Sequence, residues 1–340
     1  MSGDNLSGAS HSEHTRERVH LVTEHDRSAK TDAIRATGFW PETRRSTSLG
    51  MMVPVSQRAT FPGTPHFADM LEVSRDAASA GFEMLWFADH FSFTDDDGVR
   101  GAWDAWTLMA AIAATVPDVQ IGPMVACTAY RNPGVIAKMT EMIDDISGGR
   151  FILGLGAGWH KPEYDQFGIR FEPRVSQFEE ALRIIHGMLR DGKADVRGEF
   201  FQANDAVNLP RGPRAEGPPI LIGSSGDRML GLLAQYGDAW NTCWYGGTEG
   251  IPKKIEKLDS AMETAGRDPK SVIRTIGVSI AGEGYTGSRA NAFAGDAEAQ
   301  LAFLKDVEAL GFRHICVGLD PCTPQSIAAF APVIEAFASP

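Results

Sequence analysis

Residues 1–45 are polar, rich in His, Ser, Glu and Arg, and show no sustained apolar period. Such a stretch cannot bury enough apolar surface to offset the entropy of ordering, so it reads as a flexible, disordered or loosely docked N-terminal extension. A later start at Met51 or Met52 would cut into the first strand. From Ser48 onward short apolar runs alternate with amphipathic stretches. The runs predict strands at Leu49–Val53, Met84–Phe87, Val119–Val125, Phe151–Leu155, Pro219–Ile222, Asp238–Asn241, Val272–Ile280 and His314–Val317. Between them lie helical stretches at Pro65–Ala80, Asp104–Thr115, Pro133–Ile146, Ser176–Leu189, a segment ending at Tyr236, Pro252–Ala265, Asp296–Leu310 and Pro324–Phe337. Asp104 and Asp296 stand where a helix cap is needed, and Gly81, Gly266 and Gly311 where helices stop.

Strand-then-helix repeats imply parallel pairing with right-handed crossovers. An open doubly wound sheet would accept the same alternation, but eight units in one chain favour a closed (β/α)₈ TIM barrel spanning 46–340. Two excursions interrupt it: an insertion at 160–175, after strand 4, and a β-hairpin at 194–210 turning at Arg197-Gly198-Glu199.

Composition narrows the function classes. The formal net charge is −12, the wrong sign for a protein that holds nucleic acid through its phosphates. No run of eighteen apolar residues marks a membrane span, and the N-terminus lacks the apolar core of a secretion signal, so a cytoplasmic enzyme is expected. Cys127, Cys243, Cys316 and Cys322 lack zinc-type spacing and read as reduced thiols. No His/Asp/Glu cluster has metal-ligand spacing, and no metal is expected.

A barrel places its chemistry in the residues just past each strand. After strand 2 comes Ala88-Asp89-His90-Phe91. His90 at the mouth can carry a proton near neutrality, or it can be a structural histidine held by Asp89. Strand 3 runs into Ala126-Cys127-Thr128-Ala129-Tyr130-Arg131-Asn132, small and hydroxylated residues followed by a mouth loop; nothing nearby activates Cys127. Strand 4 ends in Gly154-Leu155-Gly156-Ala157-Gly158-Trp159. A dinucleotide fingerprint is excluded there, because Pro162 and Pro173 follow with no immediate helix. The glycines point instead to close backbone approach by a ligand or to a barrel corner, and Trp159 to a pocket wall or to packing under the insertion. Strand 5 delivers Gly223-Ser224-Ser225-Gly226 directly before a helix. Small residues at a helix N-terminus offer free N–H groups and a positive dipole end to a phosphate; an ordinary Ser/Gly loop is the plain alternative. Strand 6 adds Trp240 and Asn241 beside the same mouth.

Together these residues resemble the bacterial luciferase-like family, most closely its deazaflavin (coenzyme F420)-dependent branch. The resemblance rests on Asp104 to Trp159, on Phe87-Ala88-Asp89-His90-Phe91, on Pro219-Ile220-Leu221-Ile222-Gly223 and on Tyr236-Gly237-Asp238-Ala239-Trp240-Asn241. It implies a (β/α)₈ barrel with a tricyclic cofactor at the strand C-termini. A non-proline cis peptide near Ala126, Cys127 and Thr128 would back the ring. His90 would lie by the reactive centre, and the Ser224–Ser225 loop would hold the phosphate. Asp89, Asn132 and Gly156 to Gly158 would complete the cofactor contacts, with Tyr130, Trp159, Trp240 and Asn241 toward the substrate. Arg131, Arg170, Arg174 or Arg228 could attract an anionic tail. In the sugar-phosphate dehydrogenases of this family a glutamate follows the strand-4 glycines and acts with the histidine. Trp159 occupies that place here, which argues against a glucose-6-phosphate dehydrogenase.

The first expectation is therefore F420-dependent hydride transfer to or from a small organic substrate, with His90 as proton donor or acceptor. The alternatives are an FMN-dependent monooxygenase fed by a separate cofactor reductase, and a non-catalytic flavin-binding barrel. A cationic path leading away from the phosphate loop would favour the deazaflavin. The resemblance also implies a homodimer.

Overall fold

The computed structural model describes residues 46–57, 64–95, 98–287 and 291–338. The N-terminal stretch read as an extension lies outside the described residues. In chain order the strands are β1 (Ser48–Val53), β2 (Met84–Phe87), β3 (Ser92–Asp95), β4 (Gly98–Gly101), β5 (Gln120–Pro123), β6 (Ala126–Cys127), β7 (Leu153–Gly156), β8 (Lys193–Arg197), β9 (Gln202–Val207), β10 (Ile220–Gly223), β11 (Ala239–Tyr245), β12 (Ile273–Ala281) and β13 (His314–Asp320). The helices are α1 (Phe67–Ala80), α2 (Ala105–Thr115), α3 (Pro133–Ser147), α4 (Lys161–Gln166), α5 (Arg174–Arg190), α6 (Asp227–Tyr236), α7 (Ile251–Thr264), α8 (Ala297–Ala309) and α9 (Pro324–Ala338).

Nine strands form one sheet in the order β5-β2-β1-β13-β12-β11-β10-β7-β6, all paired in parallel. Its two ends meet. Ile121 of β5 bridges Phe151 just ahead of β7, and β6 sets Ala126 and Cys127 opposite Leu155 and Gly156. Counting β5 and β6 as two pieces of one strand, the nine strands fill eight barrel positions, as the alternation predicts. The expected unbroken strand Val119–Val125 is thus divided. The break falls at Met124–Val125, one of two non-proline cis peptide bonds among the described residues, just ahead of the Ala126–Thr128 stretch where one was expected. Gly122 and Gly154 let the neighbouring strands approach at this seam: a Cβ on either would lie 2.1 Å from a carbonyl oxygen, of Ile152 and Pro123 respectively.

The barrel interior is filled by Met52, Met84, Trp86, Met124, Ile152, Leu221, Ala239 and Cys316. Below them His314 is fully buried, with Trp86 Nε1 donating to its Nε2 at 2.7 Å and Ser48 Oγ 2.8 Å from its Nδ1. An Nε2 that accepts requires a neutral ring, and burial pushes the His314 pKa down to about 3. Gly50 makes room for that ring, since a Cβ there would sit 2.7 Å from His314 Cε1. The larger core lies between strands and helices, as a barrel demands.

Three excursions depart from the repeat. The hairpin β3–β4, not anticipated from sequence, follows β2 over the mouth. The segment after β7 opens with α4, contrary to the expectation that no helix follows the glycine motif at once; Pro162 is tolerated because it sits in the first turn, where its missing N–H costs nothing. The hairpin β8–β9 forms as expected. Among the described residues no helix is long and apolar enough to cross a membrane.

Candidate active site

The strand C-termini surround a cavity of about 710 Å³, within the ~300–1,000 Å³ typical of small-molecule sites. Of the residues singled out from sequence, Asp89, His90, Cys127, Tyr130, Gly156, Ala157, Gly158, Trp159, Gly223, Ser224, Ser225, Gly226 and Asn241 all line it. Four others do not. Ala126 is wholly buried in the barrel wall, and Thr128 is buried behind it with Oγ1 3.5 Å from the Gly156 carbonyl. Asn132 is spent on α3, accepting from the N–H groups of Gly134 and Val135 at 2.9 and 3.3 Å. Trp240 points into the core, stacked on Phe312, and donates its Nε1 to the Ser224 carbonyl at 2.7 Å. Alternation explains the last: neighbours on one strand face opposite ways, so Asn241 faces the cavity and Trp240 the helices.

The floor is apolar, formed by Met52, Met124 and Val125. The glycines of strand 4 serve this floor. A Cβ on Gly156 would lie 2.6 Å from Val125 Cγ2, and one on Gly158, at φ +78°, would lie 1.9 Å from the Tyr164 hydroxyl. Cys127 Sγ sits 2.9 Å from that hydroxyl, and burial pushes its pKa up to about 12. A thiol so protonated is no nucleophile.

Asp89 is buried and accepts from the Cys127 N–H at 3.1 Å and from Arg131 Nη1 at 3.0 and 2.9 Å. Arg131 also donates to Asp104. This ion pair pins the mouth loop to the end of β2 and consumes Arg131, which sequence reading offered as an attractor for an anionic tail.

His90 meets a group that sequence reading passed over. Glu163 on α4 is fully buried and lies 2.9 Å from His90 Nδ1. Its other oxygen accepts the Phe91 and Ser92 N–H groups, the latter at 3.1 Å, and Tyr130 donates its hydroxyl to the first. Burial alone would raise the Glu163 pKa; the hydrogen bonds from His90, Tyr130 and the Phe91 N–H outweigh it and hold the carboxyl below the usual glutamate value. A carboxylate therefore does stand by the histidine, four positions beyond Trp159. The only local trace of it in the sequence is a Pro-Glu pair, Pro162-Glu163, opening a helix that the prolines had seemed to forbid. Around His90 the wall is aromatic: Phe93 at 4.4 Å between ring centroids, Trp159 at 5.7 Å and His160 at 6.4 Å. His160 Nε2 accepts the Thr94 N–H at 3.0 Å, and burial lowers its pKa, so this wall carries no charge there. Trp159 is 63 % exposed, a large aromatic at the rim of the cavity.

On the opposite side Gly226 precedes α6 with no side chain capping the helix. Ser225 and Gly226 line the same recess, with Ser224 N–H tied to the Asn241 carbonyl at 3.1 Å. Nothing lies within 4 Å of a Cβ built on Gly226, so the recess has space. Arg174 and Lys254 line the cavity beside this loop; Lys254 went unnoticed in the sequence because it belongs to α7, a helix away. Arg228 is held by Glu179 at 2.7 Å, Lys257 by Asp227 at 2.6 Å, and Arg170 lies over Phe200. Among the described residues no group of three or more His, Cys, Asp or Glu is placed to hold a metal.

An apolar floor, a partly exposed histidine and a Ser/Gly loop at a helix start thus share one barrel mouth. Residues 47–283 match the family model of the luciferase-like monooxygenases. The chain is 30 % identical over 249 residues to the pyrimidine monooxygenase RutA of Shigella flexneri, an alignment covering 68 % of this chain and 64 % of that protein, just under two thirds of its length. Its fold is similar to that of an F420-dependent secondary alcohol dehydrogenase bound to an F420–acetone adduct, with TM-score 0.72 and 20 % identity over 86 % of this chain and 99 % of the other. It is also similar to EDTA monooxygenase (EmoA) from Chelativorans sp. BNC1, with TM-score 0.71 and 13 % identity over 86 % and 94 %. The chain belongs to the luciferase-like monooxygenase family, a family of oxidoreductases.

Proposed function

We propose that this protein is an FMN-dependent monooxygenase that receives reduced flavin from a separate reductase in the cytoplasm and oxygenates a small, flat organic substrate. The observation that carries the reading is the charge pattern around the α6 loop. Ser225, Gly226 and the first-turn N–H groups make a cradle for one phosphate, while the cations beyond it, Arg228 and Lys257, are neutralised by Glu179 and Asp227. A single phosphomonoester fits this better than a tail of several carboxylates. The likeness to a pyrimidine monooxygenase supports the same choice and makes nitrogen heterocycles the first substrates to test.

The residues fit a flavin: the cavity is large enough, its floor is apolar, and Gly156 and Gly223 keep Cβ atoms away from it. Bound reduced FMN supplies the two electrons with which dioxygen is divided between substrate and water. The protein's own part is placement. Met52, Met124 and Val125 keep water from the floor, Trp159 and Phe93 hold a ring against His90, and His90 Nε2 gives or takes the proton the substrate requires.

A second reading, F420-dependent hydride transfer, is favoured by Lys254 at the rim, a cation an anionic tail could meet, although Arg174 beside it is ion-paired to Glu172 at 3.2 Å. Anaerobic titration with reduced FMN and with F420, followed by absorbance and fluorescence, separates them. Tight binding of reduced FMN, with substrate-dependent oxygen uptake when a reductase and NADH are added, is expected. Binding of F420 alone would overturn the FMN reading.

A further inference from the structure

We propose that Glu163 is a positioning residue for His90: it fixes the imidazole with its proton on Nδ1 and presents Nε2, unprotonated, to the cavity. This rests on the reading of His90 as the proton carrier of the site, but its central claim, the tautomer, holds for any cofactor.

The argument begins with burial. Glu163 does not line the cavity; its side chain is wholly buried, whereas that of His90 keeps 14 % exposure and lines it. Glu163 therefore acts on substrate only through the cavity-lining side chains it holds, His90 and Tyr130. An ionised carboxylate accepts hydrogen bonds and donates none. Both oxygens are surrounded by groups that must be donors: the Phe91 and Ser92 N–H groups at one, the Tyr130 hydroxyl and His90 Nδ1 at the other. Two of these are backbone N–H groups, which cannot reverse. The His90 atom 2.9 Å from such an oxygen must then carry a hydrogen. In a neutral ring that leaves Nε2 with its lone pair, ready to accept a proton from the cavity and later return it.

The same carboxylate holds the backbone that carries the ring. By accepting from Phe91 and Ser92 it fixes the turn immediately after His90, while Phe93 packs on the imidazole at 4.4 Å between centroids. Orientation and tautomer are thus set by one side chain, delivered from α4, an element that exists only because the chain makes an excursion after β7. Tyr130 approaches from the β6 side and completes the set of donors, so two separate loops converge on this one buried carboxylate.

The experiment uses the full chain, with no cofactor added, labelled with ¹⁵N-histidine. His90→Gln assigns one of the nine histidine signals. Above neutrality the wild-type His90 should show a protonated Nδ1 and a bare Nε2. Glu163→Gln keeps an oxygen for the Phe91 and Ser92 N–H groups but offers an amide N–H toward Nδ1, so the His90 tautomer should invert or become mixed. With a competent cofactor system the same variant should lose about 10- to 100-fold in kcat, with little change in substrate KM. Tyr130→Phe, which deletes one donor and leaves the pair intact, should keep the wild-type tautomer. A wild-type His90 protonated on Nε2, or a tautomer unmoved in Glu163→Gln, overturns the proposal, and the wild-type arm needs no variant to fold. If the tautomer behaves as stated while His90→Gln turns over normally, the positioning claim stands and the proton-carrier reading falls.

Discussion

At the residue scale two contacts at the mouth have no slack. Gly158 is held at φ +78°, where a side chain is strained, and faces the Tyr164 hydroxyl at a distance no Cβ could keep. Gly158→Ala should cost about 2–4 kcal/mol, combining backbone strain with overpacking, read as a lower urea midpoint at unchanged m. Arg131 is the counter-charge of a buried carboxylate, its guanidinium lying 2.9 Å from Asp89. Replacing it with alanine leaves that charge unpaired and should cost about 3–5 kcal/mol, the penalty of breaking a buried pair from one side. Sequence reading saw Asp89 and Arg131 as ligand contacts because both fall just past strands. Charge type and position do not reveal that the two are spent on each other.

At the element scale the proposed phosphate loop and its helix would act as one device. Ser225→Asp adds a negative charge where the α6 dipole and its free N–H groups would meet a phosphate. Affinity for FMN should fall at least about tenfold while that for riboflavin, which lacks the phosphate, changes little; fluorescence titration of both ligands reads the difference. The hairpin β8–β9 has a comparable single anchor. Glu180 on α5 accepts the N–H groups of Glu199, Phe200 and Phe201 at 2.9, 2.7 and 2.9 Å. Burial would raise its pKa, but these bonds outweigh burial and hold it below the glutamate norm, so the anchor is present near neutrality and is lost as pH falls through that depressed value. Glu180→Ala should abolish hydrogen-exchange protection at the hairpin tip and leave the barrel strands protected. The hairpin itself was legible in the sequence from its turn residues. Its anchor was not, because Glu180 precedes the tip by nearly twenty residues on a helix that reads as ordinary.

For the whole molecule, the buried neutral His314 ties barrel stability to pH. Its folded-state pKa of about 3 lies below the ordinary 6.5. Between those values the unfolded chain binds a proton that the folded one refuses, so stability falls on acidification across that window. The loss is about 1.4 kcal/mol per pH unit from this group. Denaturant unfolding at a series of pH values should show a slope shallower by about that amount in His314→Gln, although the variant is less stable at neutral pH for loss of the Ser48 contact.

The sequence by itself determined the barrel. Alternation of apolar runs with amphipathic stretches is a local property, and strand C-termini are the only place such a barrel gathers side chains from separate strands, so the mouth residues His90, Cys127, Tyr130, Gly156, Ser225 and Asn241 could be found before any coordinates. What only the tertiary structure decided is which of those residues are free. Arg131 is consumed by Asp89, Asn132 by its helix and Trp240 by the core. The histidine's partner comes from Glu163, 73 positions away in the chain. Pairing of buried charges and donors depends on distances across the barrel mouth, and periodicity along one strand carries no information about them.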